Sequence, residues 1–533
     1  MSFLLLVFFS CTSKNPVIDS IYPKIGRMGE TITIRGKNFG KERDESYVTI
    51  AGTSPTNSSY LNWQDDLIAV RAPEFGESGL VYVYVKDRKS NSALFSNLAH
   101  LPRPAEGDNT GLEPRIISVQ PQSAATGSLV TITGNNFGNS REGGGVFFTW
   151  NSETHSSTPA EAKAHEFIEV ADAEFGYEFW NEREIRLRLP DGAVSGNLEI
   201  RTGRGNSRPF FFDVTGKPGI KTFKDKRSYT FSYSVDVKVS AAERPNTLYL
   251  WVPQPAVSPS QRNLSLVSRN IEPFVENYRG TSLFKLDDMA PNSNAQINLS
   301  FNVEVYAQET NLRPQSIRQE DTPPLAGVYT QGSFLVPADD QDIKTQAAAI
   351  LGRERNPYIK AQQIYEWFIR EMSVQAEILP AGSAIAALNS KQADSYTAAL
   401  LYCALVRAAG VPCVPVAGVL VNRNRQVMRH YWAEFWIDGF GWVPVDPAMG
   451  AGAVPPSYII RQDRASYYFG NMDSQRIAFS RGEINLSQMD PRGRPVTHTH
   501  SYSLQNLWEE AAGGLESYSS LWGDITITGI YVQ

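Results

Sequence analysis

The sequence predicts a multidomain chain: two all-β sandwiches, a third β-sandwich-like domain and then an α+β core. Three observations predict it. A length of 533 residues exceeds what one hydrophobic core encloses, and domains of roughly 100 to 150 residues are the usual solution. Two stretches repeat each other at one fixed offset. A single long apolar helix, followed by two strands joined through a tight turn, sets the last third apart from the alternating pattern before it. The hydrophobic share of 41% is that of folded domains, and a formal net charge of −6 supplies neither a basic surface for nucleic acid nor an acidic tail.

Residues 1–15 come first. Their apolar run is too short to span a bilayer as a helix, and it ends at Cys11 before the polar Thr12, Ser13 and Lys14. The sandwiches follow at 16–101 and 114–215. Pro23, Gly29, Thr33, Ile34, Gly36, Asn38, Phe39 and Gly40 recur as Pro121, Gly127, Thr131, Ile132, Gly134, Asn136, Phe137 and Gly138. Identity at glycine, proline and alternating apolar positions means one backbone built twice. Within each copy 31–34 and 130–133 alternate with a period of two, as half-buried strands do. A linker at 102–114, rich in proline, glycine and acidic residues, separates the copies. The second copy carries an irregular polar insert around 143–180, which reads as part of a spacer or as a binding loop. The third domain, 219–313, shows two more alternating runs at 229–235 and 247–253, and no chemistry is visible in it.

The core is expected over 314–485. Residues 395–409 are strong helix formers, apolar nearly all round, and they stop at Gly410 with Pro412 beyond. This is a buried helix that Asp394 or Ser395 would cap, so Ser395 sits where backbone N–H groups and the positive end of the dipole converge. The run 430–437 alternates and places His430, Trp432, Glu434 and Trp436 on one face. Asp438-Gly439 signals a two-residue turn, which would set His430 opposite Pro447 and bring Asp446 beside it. A carboxylate there fixes the tautomer of an imidazole and stabilises its charged form. The tail, 486–533, has the Trp and Tyr content of a segment that packs back on the core.

Several of these features resemble known families. The short apolar run ending at Cys11 resembles the lipobox of bacterial lipoproteins, although no Lys or Arg precedes it. The resemblance implies a lipid anchor on Cys11, a membrane partner and a place in the cell envelope. The repeated I-T-I-x-G-x-N-F-G pattern, read at Ile32 to Gly40, resembles the IPT/TIG family of immunoglobulin-like domains, which implies stalks, spacers or adhesion modules. Trp251, Val252, Pro253 and Pro255 are similar to the end of the β-domain that often precedes a bacterial transglutaminase-like core. The motifs H-Y-W-A-E-F from His430, G-F-G-W-V-P-V-D-P to Pro447 and A-L-L-Y-C-A-L-V-R-A-A-G-V-P to Pro412 resemble the transglutaminase-like superfamily of papain-like folds. Residues 362–365 and 468–471 extend the likeness on either side.

That resemblance implies a catalytic triad of a helix-start cysteine, His430 and Asp446, with Asp394, Trp432 and Glu434 in support. Counting twelve residues back from Arg407, where the family places its cysteine, gives Ser395. The family often has Arg where this chain has Val414. A thiol near pKa 8.5 ionises readily at a helix N-terminus, whereas an alcohol needs concerted proton removal by His430. Three readings follow. The first is a pseudoenzyme that binds a peptide, a protein or a peptidoglycan stem. The second is an acyl-transfer or hydrolytic enzyme using Ser395, His430 and Asp446. The third is an adhesin acting through its sandwiches. Cys403 lies too far along the helix to replace Ser395, and Cys413 reads as a buried, inert thiol. His498 and His500 read as a surface pair, and neither a metal nor a cofactor is expected.

Overall fold

The computed structural model describes residues 15–73, 79–97, 112–141, 143–151, 166–171, 176–216, 218–317, 326–379, 382–461 and 463–533. Cys11, most of the linker and the middle of the insert lie outside the described residues.

The first repeat is a sandwich of two sheets. One sheet runs in the order Val17–Tyr22, Thr31–Lys37, Leu67–Arg71, Tyr60–Trp63, and the other in the order Ile25–Gly26, Ala93–Asn97, Gly79–Val85, Tyr47–Ile50. Alternation decides what is inside. Ile32, Ile34, Val48, Ile68, Val81, Val83 and Phe95 are fully buried between the sheets, while Thr31, Tyr47 and Arg71 are exposed. The second repeat reproduces this backbone in detail. Val17 pairs with Lys37 and Arg115 with Asn135, and each first strand has its register shift at the same place, between Ile18 and Ser20 or Ile116 and Ser118. Gly36 and Gly134 show why glycine recurs: a Cβ would stand 2.0 Å from the Val17 carbonyl oxygen in one copy and 2.1 Å from that of Arg115 in the other.

Leu101–Tyr177 and Asn181–Gln533 form one compact unit. The second sandwich is held to the rest by buried polar contacts. Lys221 pairs with Asp191, whose other oxygen accepts the Trp442 N–H at 3.0 Å. The Arg262 guanidinium lies 3.7 Å from the centre of the Trp150 ring and donates to the Phe167 carbonyl at 2.6 Å. Trp150 and Phe167 both belong to strands of the expected insert, so these parts of it serve packing.

The third domain is built on one long strand, Gly219–Pro253, which pairs with Asn294–Leu312 and Thr281–Asp287. The tail does more than pack on the core. Its strands Glu509–Trp522 and Thr526–Val532 both pair with Gly219–Pro253, completing an eight-stranded sheet. The reason is the unpaired N–H and C=O groups that so long a strand would otherwise present along its edges. The Tyr229, Phe231, Leu250 and Phe301 side chains share one apolar cluster with Val419 and Ile477 of the core and with Trp508 and Leu515 of the tail.

The core is α+β. Helices Gln341–Leu351, Pro357–Glu371 and Ala384–Ser390 surround the helix Ser395–Ala408, called here the serine helix. Beside it stands an antiparallel sheet in the order Gly441–Val445, Val427–Ile437, Cys413–Val421, Arg476–Arg481. Val427–Ile437 is the histidine strand. Every residue of the serine helix from Ser395 to Arg407 is buried, as an all-round apolar helix requires. Among the described residues no helix is long and apolar enough to cross a membrane.

Candidate functional site

Asp394, not Ser395, caps the serine helix. Its carboxylate accepts the Thr397 N–H at 2.7 Å and the Thr397 hydroxyl at 2.8 Å, and the Thr397 oxygen accepts the Asp394 N–H at 3.0 Å. The second carboxylate oxygen accepts the Leu379 N–H at 2.6 Å, so Asp394 fixes both the helix start and the loop before it. Ser395 is then the first helical residue, 2% exposed. Its hydroxyl is buried and, among the described residues, has no hydrogen-bond partner.

The histidine strand carries its two faces into different surroundings. Tyr431, Ala433 and Phe435 pack with the serine helix, whereas Trp432 packs on the opposite side with Met449 and Tyr468. His430 alternates with Trp432, and the two rings lie 6.4 Å apart at 23°. The His430 Nε2 is 2.7 Å from the Asp446 carboxylate.

The turn that sets up this contact has three residues rather than the two expected. Ile437 pairs with Gly441, and the register continues as Ala433 with Val445. Gly439 at φ +73° and Gly441 at φ +98° supply left-handed conformations that lengthen the turn by one residue. Carried one residue further, this register sets Asp446 across from Trp432, on the same face as His430. A two-residue turn would have turned Asp446 to the other face, because a one-residue slip inverts every side chain.

Asp446 is fully buried within a network of charges. The oxygen that faces His430 also accepts from Arg476 Nη1 at 3.0 Å, and the other accepts the Met449 N–H at 3.0 Å. Arg476 reaches Asp473 at 3.0 Å through its other terminal nitrogen, and its guanidinium lies 5.0 Å from the Trp432 ring centre. Asp473 accepts hydroxyl bonds from Tyr458 and Tyr468, each at 2.7 Å. Burial by itself raises the Asp446 carboxyl, but the His430 ring, the Arg476 guanidinium and the Met449 N–H outweigh it and hold the group below the usual carboxylate range. Asp473 is depressed in the same way, burial being outweighed by Arg476 and the two tyrosines.

A folded pKa below the unfolded one contributes stability above about pH 4 that is lost as pH falls through the folded value. The stability gap between the wild type and an Asp473→Asn variant is therefore expected to be full at about pH 6 and to narrow below about pH 4. Urea midpoints at several pH values measure it; a gap unchanged between about pH 3 and 6 would show that Asp473 is not held as an anion by Arg476.

The remaining predicted residues fall elsewhere. Glu434 turns toward the second sandwich and meets Arg481 at 2.5 and 2.9 Å. Burial and the nearby Asp191 carboxylate push it upward, against the pull of Lys221. Val414 packs with Trp436 and Trp442. Cys403 and Cys413 are fully buried in the core. His498 and His500 are not a pair: His498 meets the Glu509 carboxylate at 2.9 Å, and the His500 ring stands edge-on 4.5 Å from that of Tyr396. Among the described residues no three His, Cys, Asp or Glu side chains gather as metal ligands. Sequence reasoning missed Arg476 and Asp473. The one signal was an arginine opening an otherwise apolar strand run, Arg476-Ile477-Ala478-Phe479.

With this geometry, comparison with known families is direct. The model of the transglutaminase-like superfamily matches residues 344–447, and that of the IPT/TIG domain matches 16–100 and 114–161. The chain carries a transglutaminase-like domain and IPT/TIG domains. Among curated proteins, an uncharacterized protein of Haemophilus influenzae is 29% identical over 174 residues, 26% of this chain and 46% of that one. A cyclomaltodextrin glucanotransferase of Paenibacillus macerans is 28% identical over 127 residues, 24% of this chain and 16% of that one. The chain thus spans less than half the length of these curated relatives. Among solved structures, a protein described as a proposed cysteine protease from Cytophaga hutchinsonii is 15% identical, with 59% of this chain and 92% of that one covered at a TM-score of 0.36. The periplasmic domain of TgpA from Pseudomonas aeruginosa is 13% identical, with 42% and 87% covered at a TM-score of 0.24.

Proposed function

We propose that this chain is a transglutaminase-like pseudoenzyme of the cell envelope, anchored by lipid on Cys11. Its core binds a peptide, protein or peptidoglycan-stem ligand without turning it over. The observation that carries this reading is the Ser395 hydroxyl. It stands at the helix start where the family has its thiol, it is buried, and among the described residues no base accepts its proton. Attack on a carbonyl by an alcohol requires a base within hydrogen-bond reach to take its proton. The presence of Asp446 has its own explanation, because it also serves Arg476 and the Met449 N–H. Removing it would leave a buried guanidinium short of a partner.

A second reading, a Ser-His-Asp acyl transferase or hydrolase, draws support from the 2.7 Å contact between His430 and Asp446. A serine-directed fluorophosphonate separates the two. Folded protein is expected to take up no label at Ser395 and to release no product from acyl-donor peptides. Labelling at Ser395 that disappears in a His430→Ala variant would overturn the pseudoenzyme reading in favour of the second.

A further inference from the structure

Cys403 on the serine helix and Cys413 at the start of the adjoining strand bring their sulfurs to 3.4 Å. Both residues are fully buried, and the sequence holds one other cysteine, Cys11. Contact between the only two thiols of a large apolar core is a specific arrangement, since either position accepts any small apolar residue. The backbone around them is fixed. Arg407 donates from Nε to the Cys413 carbonyl at 2.7 Å and from Nη1 to the Gln331 carbonyl at 3.0 Å, tying the end of the helix to the start of the strand. Closing the sulfurs from 3.4 Å to the roughly 2.05 Å of a bond asks for a shift of roughly 1.4 Å.

We infer that Cys403 and Cys413 are joined by a disulfide when the chain folds in the presence of a disulfide oxidant. One thiolate attacks a sulfur of the oxidant, forming a mixed disulfide and expelling a first thiolate. The second cysteine, having given its proton to solvent, attacks the mixed bond and expels the other. One S–S bond forms and one breaks, and two electrons leave on the oxidant as two thiols. The exchange belongs to folding rather than to the finished core, because burial and the adjacent Cys403 thiol hold the Cys413 thiol well above its ordinary range and no reagent reaches it there. Once made, the bond locks the helix that carries Ser395 to the central strand of the sheet, and burial protects it from reductant.

The test uses the full chain refolded from guanidinium with excess oxidised glutathione, then denatured with N-ethylmaleimide and no reductant. Peptides containing Cys403 and Cys413 are expected as one linked, unalkylated species about 2 Da lighter than the two thiol peptides together, the mass of the two hydrogens lost on oxidation. Adding dithiothreitol to the denatured sample should make both alkylable, and oxidised protein should unfold at higher guanidinium than reduced protein. Full alkylation of both cysteines after oxidative refolding, or a bond from either of them to Cys11, would overturn the inference.

Discussion

A Ser395→Cys variant is expected to carry a thiol that ionises well below the ordinary cysteine range, read from the ultraviolet absorbance of the thiolate against pH. A thiol at the first position of a helix, near N–H groups that have no intrahelical acceptor, is stabilised as the thiolate. At about pH 6 a free thiol is almost wholly protonated, so a depressed pKa raises the thiolate fraction by roughly a hundredfold. The same Ser395→Cys variant, incubated with an acyl-donor peptide, should accumulate a thioester that the wild type does not form. Peptide mass spectrometry identifies the modified residue against the buried Cys403 and Cys413. Should the introduced thiol titrate like an ordinary one, the surroundings of Ser395 are not an anion site.

Arg476→Met is expected to destabilise the chain by about 3–5 kcal/mol, the usual consequence of taking one partner from a buried ion network. Arg476 is 3% exposed and bridges Asp446 and Asp473, so its loss leaves two carboxylates facing each other across an apolar gap. Arg476→Lys should fall between the two, because a single ammonium cannot make the two separate contacts that the planar fork makes at 3.0 Å each. Denaturant midpoints measured at about pH 7 give both differences. A methionine variant within about 0.5 kcal/mol of the wild type would mean that the network contributes nothing net and that His430 is positioned without it.

The parts of this fold that were legible in advance are those whose signal is local. The two sandwiches announced themselves because glycines such as Gly36 and Gly134 are required by close backbone approach, and alternating residues such as Ile32 and Ile34 must face one way. The serine helix was legible from propensity and its stop signal, and it runs over Ser395–Ala408. Facing and partner choice were not. Whether Asp438 opens a turn of two residues or three depends on the conformations of Gly439 and Gly441, and that one residue decides which side of the sheet Asp446 occupies. Arg476 lies thirty residues beyond Asp446, and nothing in its own neighbourhood announces that it ends beside that carboxylate.

Sequence by itself determined the repeated sandwich, the buried helix with serine at its start, and the presence of a His on one strand and of an Asp just past the end of its neighbour. Each of these follows from the conformational preferences of residues close to one another in the chain. Only the tertiary structure decided that Asp446 is shared between His430 and Arg476, that Cys403 touches Cys413, and that the tail strands complete the sheet of the third domain. Those are pairings between separate segments, where burial of apolar surface and satisfaction of backbone and charged groups select the partner, and no local preference encodes that selection.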